Sequence, residues 1–402
     1  MVPPRSPLGD SHNFGRRVSV GGRRVKKPRA LLWEWALLGN DSPVRKLLDE
    51  VSEREGMAGL FSFLPTLRFF PENGHYERGG EVERIALEPL RFRSSARLLE
   101  LAAIVGRSLA LFSWLGVSDL HWENLVLGVD RQDRTVFGPL DIEMIFAVLS
   151  LPTETKLLPD PDPEYREICR HASGVRRVLP YLGKPVQAEH LVAMASAYRS
   201  VLALLERHGS SIARAFAKLP GLDNTPIRVC LRGTDEYVRS RSEPLWPPLL
   251  PSEIEQLERG DIPYFFRFYD RPGIRYYADE SLERVQQLPS RGDVPKLDPI
   301  LQLSRGLRSP ARQKLRVEGL FAVLGAFDAP SLTGTHEHGA LTVTFKPRSI
   351  IVRLEDGDEM EVRRGSLGAF VGSVYLPCSC GEVLRVFVPA VTRCTAAVTG
   401  RE

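Results

Sequence analysis

Cysteine is scarce in this sequence: five residues in 402 are too few for a disulfide-stabilised scaffold. The opening stretch MVPPRSPLGD lacks the apolar core of a signal peptide. The most apolar long segment, Leu98–Leu115, is interrupted by Glu100 and Arg107. We therefore expect this segment to be a buried helix rather than a membrane span, and the protein to be soluble and cytoplasmic.

A large net charge is also lacking, since 54 Lys and Arg against 50 Asp and Glu leave +4. That balance does not predict nucleic-acid binding. The charge is uneven, however, because residues 1–30 carry eight Lys or Arg and a single acid, Asp10. A basic stretch of this kind is typical of a phosphate-rich ligand site, a disordered arm or a contact with an acidic partner, and the sequence leaves all three open.

The basic stretch GRRVSVGGRRVKKPR has the pattern of a β-hairpin. Apolar and polar residues alternate along it, and Gly21-Gly22 supplies the predicted two-residue turn. The return strand places Val25 and Lys27 on one face, and Pro28 ends it. Lys27 is thus predicted to lie on a strand at a defined face of a sheet.

Two helices have clear end signals. Ser42 and Pro43 are residue types preferred at the N-cap and the first helical position, so a helix is predicted to begin there. A second helix is predicted over Leu98–Leu115, with Gly116 as its C-terminal cap.

The rest of the chain alternates between helical and strand patterns. ENLVLGV and TVFGPLDIEMIF are predicted to form a hairpin-like pair, residues 187–216 one long amphipathic helix or two, and SPARQKLRVEGLFAVLGAF another helix. From Ala340 onward the pattern is that of strands, with Asp356-Gly357 as a turn.

The most unusual polar residues lie in two short motifs, DLHWENLVLG (119–128) and DIEMIF (141–146). A strand over LDIEMI would project Asp141 and Glu143 to the same face. Together with Asn124 they form a hard oxygen ligand set, which suits Mg²⁺ rather than zinc. Phosphoryl transfer requires such a set and also a carboxylate near the acceptor hydroxyl, a role that Asp119 could fill.

The same reaction requires a cation on the phosphates, and Lys27 on its hairpin strand corresponds to the lysine of kinase lobes. The competing interpretation is purely structural: Asp119 and Asn124 would cap a turn and His121 would be a core residue. A hairpin lysine, D-x-H-x-x-N and a later D-x-E in one chain favour the chemical interpretation.

Six sequence blocks resemble, in order, the dehydratase domain of class II lanthipeptide synthetases: GDSHNFGR, VKKPR, DLHWENLVL, PLDIEMIF, RVCLRGTDEY and GDIPYF. Members of that family have a lipid-kinase-like fold. They use ATP to phosphorylate Ser and Thr of a ribosomally made precursor peptide, and then eliminate the phosphate to leave dehydroalanine or dehydrobutyrine. The blocks lie within residues 9–325 of this chain.

The resemblance implies roles for particular residues and implies ATP and Mg²⁺ as cofactors. Asp10, His12 and Lys27 would belong to the ATP-phosphate lobe. The transfer centre would contain Asp119 and His121, and the metal or its surroundings would be held by Asn124, Asp141 and Glu143.

Phosphate elimination would depend on a separate pair, Arg228 and Thr234, which lie six positions apart in RVCLRGT. Without the resemblance these two residues are expected in an ordinary surface loop. Their retention favours a dehydratase over an enzyme that only phosphorylates.

The chain departs from the family pattern in three ways. Phe14 stands where the family usually has a glycine, the segment that normally precedes GDSHN is missing, so that the first lobe is expected to be incomplete, and the C-terminal zinc cyclase is absent. We therefore expect no thioether ring closure. A zinc site is not expected from the remaining candidates, which are Cys378, Cys380, Cys394, His336 and His338.

The resulting expectation is an α+β, bilobal, lipid-kinase-like fold: residues 1–95 form the first lobe, 96–325 the second, and 326–402 a small β-rich appendix. The expected activity is a stand-alone peptide Ser/Thr dehydratase. The alternatives are a kinase that has lost elimination and a non-catalytic peptide-binding member. The expected partners are a precursor peptide and a separate cyclase or other maturation enzyme, with no nucleic acid and no membrane span.

Overall fold

The computed structural model describes the chain in segments. They cover residues 6–91, 94–149, 151–159, 172–183, 185–240, 242–245, 248–289, 310–327, 329, 331–355, 359–363, 372–377 and 383–388. The architecture is mixed α and β, with several small sheets rather than one large one. Five of the six basic residues between positions 16 and 27 lie in strands of the first sheet, and Arg23 lies in the turn between two of these strands, so this part of the basic stretch is not a disordered arm.

The described α-helices are distributed along the chain from residue 32 to residue 326. They are α1 (Leu32–Leu38), α2 (Pro43–Arg54), α3 (Ser95–Leu115), α4 (Leu179–Leu182), α5 (Ala188–Arg207), α6 (Gly209–Ala217), α7 (Thr234–Arg239), α8 (Pro251–Glu258) and α9 (Pro310–Ala326).

The strands form antiparallel ladders. The first sheet has the order β1-β2-β3-β5-β4 and contains β1 (Ser6–His12), β2 (Arg16–Gly21), β3 (Arg24–Lys27), β4 (Phe69–Pro71) and β5 (Gly80–Glu83). A two-stranded hairpin follows, β6 (Leu125–Val129) with β7 (Thr135–Pro139). The next sheet has the order β11-β10-β9-β8 and contains β8 (Ile227–Val229), β9 (Phe265–Arg267), β10 (Arg275–Tyr277) and β11 (Val285–Gln287).

The C-terminal strands form two further groups. One is the four-stranded sheet β12 (Gly334–His338), β13 (Leu341–Phe345), β14 (Ser349–Leu354) and β15 (Glu359–Arg363), and the other is the pair β16 (Gly372–Pro377) and β17 (Val383–Val388). The C-terminal strands thus begin at Gly334, before the predicted start at Ala340. The predicted Asp356-Gly357 turn lies outside the described residues.

The N-terminal hairpin is confirmed, but its turn was predicted one residue too early. Gly21 pairs with Arg24, so the turn residues are Gly22 and Arg23. Gly22 has φ +58°, the left-handed backbone that such a turn needs at its first central position. Lys27 remains on the return strand, as predicted.

The predicted start of α2 and the predicted C-terminal end of α3 are confirmed, but α3 begins at Ser95, three residues before the predicted Leu98. Ser42 caps α2 by accepting a hydrogen bond from the N–H of Arg45, with Pro43 at the first position. Gly116 ends α3 with φ +66°. By length and composition α3 could cross a membrane, but 78% of its most apolar window is buried inside the protein, as expected for a core helix.

The core of the second half forms where α3 crosses α5. Gly106 lies at the contact, and a Cβ there would clash with the main-chain oxygen of Met194. The absence of a side chain therefore sets how closely the two helices approach. Residues 187–216 are two helices rather than one, because α5 ends at Arg207 and α6 begins at Gly209.

This close approach makes Gly106→Ala a test of the core. We expect the added methyl group to separate α3 from α5 and to lower the free energy of unfolding by about 1–3 kcal/mol. Urea denaturation followed by circular dichroism measures the change. Ser95→Ala, at the exposed first residue of the same helix, is the control and should stay within about 0.5 kcal/mol of wild type. Equal midpoints for the two variants would contradict the close approach.

The predicted β6–β7 hairpin is confirmed, but the prediction of a strand over LDIEMI is wrong. Strand β7 ends at Pro139, and Asp141 and Glu143 lie in irregular chain beyond it. Leu140 N–H still donates to Asn124 O at 2.9 Å, next to the last pair of the hairpin. Beyond it the chain leaves β6, and Glu143 O accepts a hydrogen bond from the N–H of Arg228 at 2.9 Å.

One continuous apolar core crosses both predicted domain boundaries. It contains Leu32 of α1 and Leu101 of α3, and also Leu341 and Val343 of the C-terminal sheet. The described part of the C-terminal sheet therefore packs on the body of the protein and has no separate core there. The boundaries at residues 95 and 325 remain predictions about the chain.

Candidate active site

The predicted lysine forms a buried ion pair with a helix. Lys27 Nζ lies 2.7 and 2.6 Å from the two carboxylate oxygens of Glu34 in α1, and it also donates to Leu140 O at 2.5 Å. The Glu34 side chain is 1% exposed and that of Lys27 is 9% exposed. Glu34 was missed by the sequence analysis; the available signal was a single acid inside the apolar run LLWEWALL.

Arg29 joins this pair to the predicted metal ligands. Its Nη2 lies 3.1 Å from Glu34 Oε1 and also contacts Asp141 Oδ1, while its Nε lies 2.6 Å from Glu143 Oε1. Burial opposes the charge, but Asp141 and Glu143 raise the pKa of Arg29 above its ordinary value. Arg29 was not singled out before, although it lies within the block VKKPR.

Asp141 and Glu143 therefore meet as predicted, but on a guanidinium rather than on one face of a strand. Burial would raise the pKa of Asp141, yet Arg29 and Lys27 hold it well below its usual range, so the carboxylate stays ionised. Glu143 Oε2 is buried without a hydrogen-bond partner and lies 3.7 Å from Arg228 Nη1.

The D-x-H-x-x-N segment is a strained loop in front of β6. Asp119 has φ +66°, which is unusual for a side chain other than glycine. Asn124 Nδ2 donates to Asp119 O at 2.9 Å, which fixes the loop from within. His121 lies half-buried at the start of a short turn, and its backbone pairs with that of Ser173.

A neighbouring segment supports this loop and adds a cation to it. Leu120 N–H donates to Thr155 O at 2.9 Å, and Lys156 Nζ lies 3.1 Å from Asp119 Oδ1. The Asp119 side chain is 27% exposed, so it remains accessible while it is paired. Lys156 was also missed, because its role depends on a contact between distant parts of the chain.

Arg228 of β8 faces the same cluster. Its guanidinium lies 3.7 Å from Glu143 Oε2 and 5.4 Å from the Tyr264 ring centroid. Burial opposes its charge, but Glu143, followed by smaller contributions that include Asp119, raises its pKa. Arg228 is therefore a fixed, largely buried cation beside Glu143 rather than part of a surface ion pair.

Thr234 is less well integrated. It is exposed at the first position of α7, and within the described residues no hydrogen bond joins it to Arg228. The segment that carries Thr234 is held on both sides by buried Glu253, which accepts hydrogen bonds from Arg232 Nε at 3.0 Å and Tyr237 Oη at 2.9 Å.

A tight turn at the first sequence block carries Phe14. Asn13, Phe14 and Gly15 have φ +47°, +68° and +78°, three consecutive left-handed residues. The N–H groups of Phe14 and Gly15 donate to Asp261 at 2.7 and 3.0 Å, and Ser11 Oγ donates to it at 2.6 Å. A glycine would adopt this backbone without strain, which explains why Phe14 is the unusual residue.

His12 next to this turn has a defined tautomer. Its Nδ1 lies 2.7 Å from Ile262 O, and because a carbonyl can only accept, Nδ1 carries the proton and Nε2 a lone pair. Burial and then Arg228 lower the pKa of His12 below 6.5, so the ring is neutral at physiological pH. Asp10 is exposed on β1.

Metal binding is only partly prepared by these side chains. Among the described residues, no group of three His, Cys, Asp or Glu is arranged to hold an ion. Asn124 O accepts a hydrogen bond from the N–H of Leu140, the residue before Asp141, but the Asn124 amide donates to Asp119 O and Asp141 is engaged by Arg29. His336 Nε2 lies 3.0 Å from Thr333 O, and the three predicted cysteine candidates lie outside the described residues.

No protein-family model matches the chain, and no curated protein matches it. The function must therefore be argued from the resemblance of the six sequence blocks and from the geometry of the cluster formed by Lys27, Arg29, Glu34, Asp141 and Glu143.

Proposed function

We propose that the chain is a Mg²⁺- and ATP-dependent peptide Ser/Thr dehydratase, with a bilobal, lipid-kinase-like arrangement. The observation that supports this best is that a buried lysine–glutamate ion pair contacts the segment in which the 119–124 loop, the β6–β7 hairpin and Asp141 follow one another. Lys27 contacts Glu34 and Leu140 O. Leu140 in turn donates its N–H to Asn124 O and is followed in the chain by Asp141. Protein kinases use such parts to hold phosphates and metal.

Asn124 and Asp141 are the residues that would hold Mg²⁺: Asp141 would exchange its contact with Arg29 for the ion, whereas Glu143 is paired with both Arg29 and Arg228. When bound, the ion supplies neutralisation of the charge on the phosphates.

Asp119 is the residue proposed to accept the proton of the acceptor hydroxyl. Its carboxylate is reachable, and Lys156 restrains it from the outer side. Lys156 thereby acts as a positioning residue, and its free N–H groups can also contact the phosphorylated product.

Elimination is proposed to use His12 and Arg228. The α-proton of the phosphoresidue passes to His12 Nε2, its electron pair forms the Cα=Cβ bond, and the Cβ–O bond breaks to release phosphate. Arg228 stabilises the departing phosphate with parallel hydrogen bonds. The neutral ring and the neighbouring guanidinium support this assignment of His12 more directly than a contact with ATP.

A kinase without elimination is the second candidate. The exposed position of Thr234, with no hydrogen bond to Arg228 among the described residues, favours it because the predicted elimination pair is not assembled.

Mass spectrometry of Ser- and Thr-containing peptides incubated with the protein and Mg-ATP tests the proposal. Loss of one water per site identifies a dehydratase, and gain of one phosphate per site identifies a kinase. Unmodified peptide, together with retained peptide binding, would instead support a non-catalytic member.

A further inference from the structure

A cleft of about 1390 Å³ opens between the first sheet and the β8–β11 sheet. One wall carries Arg24, Lys26 and Lys27 of β3 together with Arg29, so the cleft includes part of the candidate active site. The other wall carries Arg271 and Arg275. Pockets for small molecules are roughly 300–1,000 Å³, so this cleft suits a larger ligand such as a chain segment.

Aromatic rings hold three of these guanidinium groups in place. Arg24 lies 3.9 Å over the ring centroid of Phe70, on the first wall. Arg271 and Arg275 lie 4.1 and 5.6 Å from the ring centroid of Phe268, on the second. Cations that are already ordered lose less conformational entropy when an anion binds between them.

Carboxylates offset only part of this positive charge, since four Glu line the cleft against eight Lys and Arg. Arg24 pairs with Glu81 at 2.9 Å and Arg271 with Asp270 at 3.4 Å, but the side-chain hydrogen bonds of Arg275 go to main-chain carbonyls and a glutamine amide. The side chains of Lys26 and Arg78 have no hydrogen-bond or ion-pair partner in the part of the chain that the structure describes. The walls therefore present cations on two sides that need an anionic partner.

From this charge complementarity we infer that the cleft binds an acidic, extended segment of a peptide. Cations spread over two facing sheets match carboxylates distributed along a chain better than one compact phosphate group. Among the described strands, β11 is also an edge strand, and its Val285 and Gln287 line the cleft, so an extended peptide can pair with it. That this peptide is the substrate rests on the proposed function.

The test measures binding of a short fluorescein-labelled poly-Glu peptide by fluorescence anisotropy, without ATP. The triple variant Lys26→Gln, Arg78→Gln, Arg275→Gln removes three cations from the cleft. A matched control removes three exposed cations elsewhere, by Lys46→Gln, Arg131→Gln and Lys218→Gln. We expect on the order of 10-fold weaker binding for the cleft variant and less than about 2-fold for the control, with affinity falling as salt rises.

Equal losses in the two triple variants, or equal binding of a poly-Gln peptide, would overturn the inference. So would single-stranded RNA that binds more tightly and with the same dependence on the cleft cations. If the triple variant does not fold, the double variant Lys26→Gln, Arg78→Gln replaces it, since neither residue has a described partner. The anisotropy assay contains no ATP, so it measures peptide binding independently of phosphorylation. Its outcome bears on this inference, whereas the mass-spectrometry assay bears on the proposed function.

Discussion

Arg228→Ala is expected to block the proposed elimination and to leave the proposed phosphate transfer intact, so that peptide accumulates with one added phosphate per site. Arg228 contacts Glu143 and lies beside His12 but has no part in the Lys27–Glu34 pair, so phosphate transfer should continue. Removing one such stabilising contact costs on the order of 10²–10³ in rate, here in elimination alone. Intact-mass analysis over time separates the two steps.

Two controls sharpen this result. Asp119→Asn should leave the peptide unmodified, because it removes the proposed base for transfer. Arg228→Lys keeps the charge but loses the bidentate grip, and should eliminate at an intermediate rate. Unmodified peptide from Arg228→Ala would mean that the roles are not separate, and full dehydration would leave Arg228 a structural residue.

The same assay has a pH dependence that bears on His12. Elimination requires the neutral ring, whose pKa is lowered by burial and by Arg228. As pH falls, the elimination rate should therefore decline only below about 6.5, the ordinary value for histidine. In Arg228→Ala one cause of the lowering is removed, so the decline should begin at higher pH. A pH-independent ratio of elimination to transfer would exclude His12 as the base.

Asp141→Asn should abolish transfer, with both phosphopeptide and dehydrated peptide absent. The substitution keeps the shape of the side chain but removes the charge proposed for Mg²⁺ and now paired with Arg29. Loss of several kcal/mol of stabilisation corresponds to a rate decrease on the order of 10³ or more. Phosphorylation of the peptide with labelled ATP measures it.

Glu143→Gln is the matched control for Asp141→Asn. Both variants remove a carboxylate from Arg29, so both should lower the thermal midpoint by similar amounts. Only the Asp141 variant should lose all transfer and its dependence on Mg²⁺ concentration. Equal transfer rates in the two variants would remove Asp141 from the metal site.

The residues predicted from the sequence are those whose role depends on local chain geometry. Lys27 lies on a hairpin strand, and Asn124 and Asp141 flank another hairpin, so residue type and spacing, together with the family resemblance, brought them into view. The period of two also placed Asp141 and Glu143 together, although the chain there is not a strand. Their common partner, Arg29, determines that geometry.

The residues that were missed act through contacts between distant segments. Glu34 is recognisable only once α1 is known to face β3, and Asp261 only once its loop meets the turn at Phe14. Lys156 reaches Asp119 across 37 positions. A single sequence carries patterns of period and spacing, whereas these pairs depend on the packing of whole elements.

The bond between Asp261 and the turn at Phe14 has a consequence for synthesis of the protein on the ribosome. His12 is held by Ile262 O, so neither the left-handed turn nor the histidine has its partner until residue 262 has emerged. At about 5–20 residues per second, the first block waits for roughly tens of seconds after it is translated. A nascent chain that ends before this point has its lysine and loop motifs but lacks the partner of the His12 side chain, so the residue proposed as the base for elimination is the last of these to be fixed.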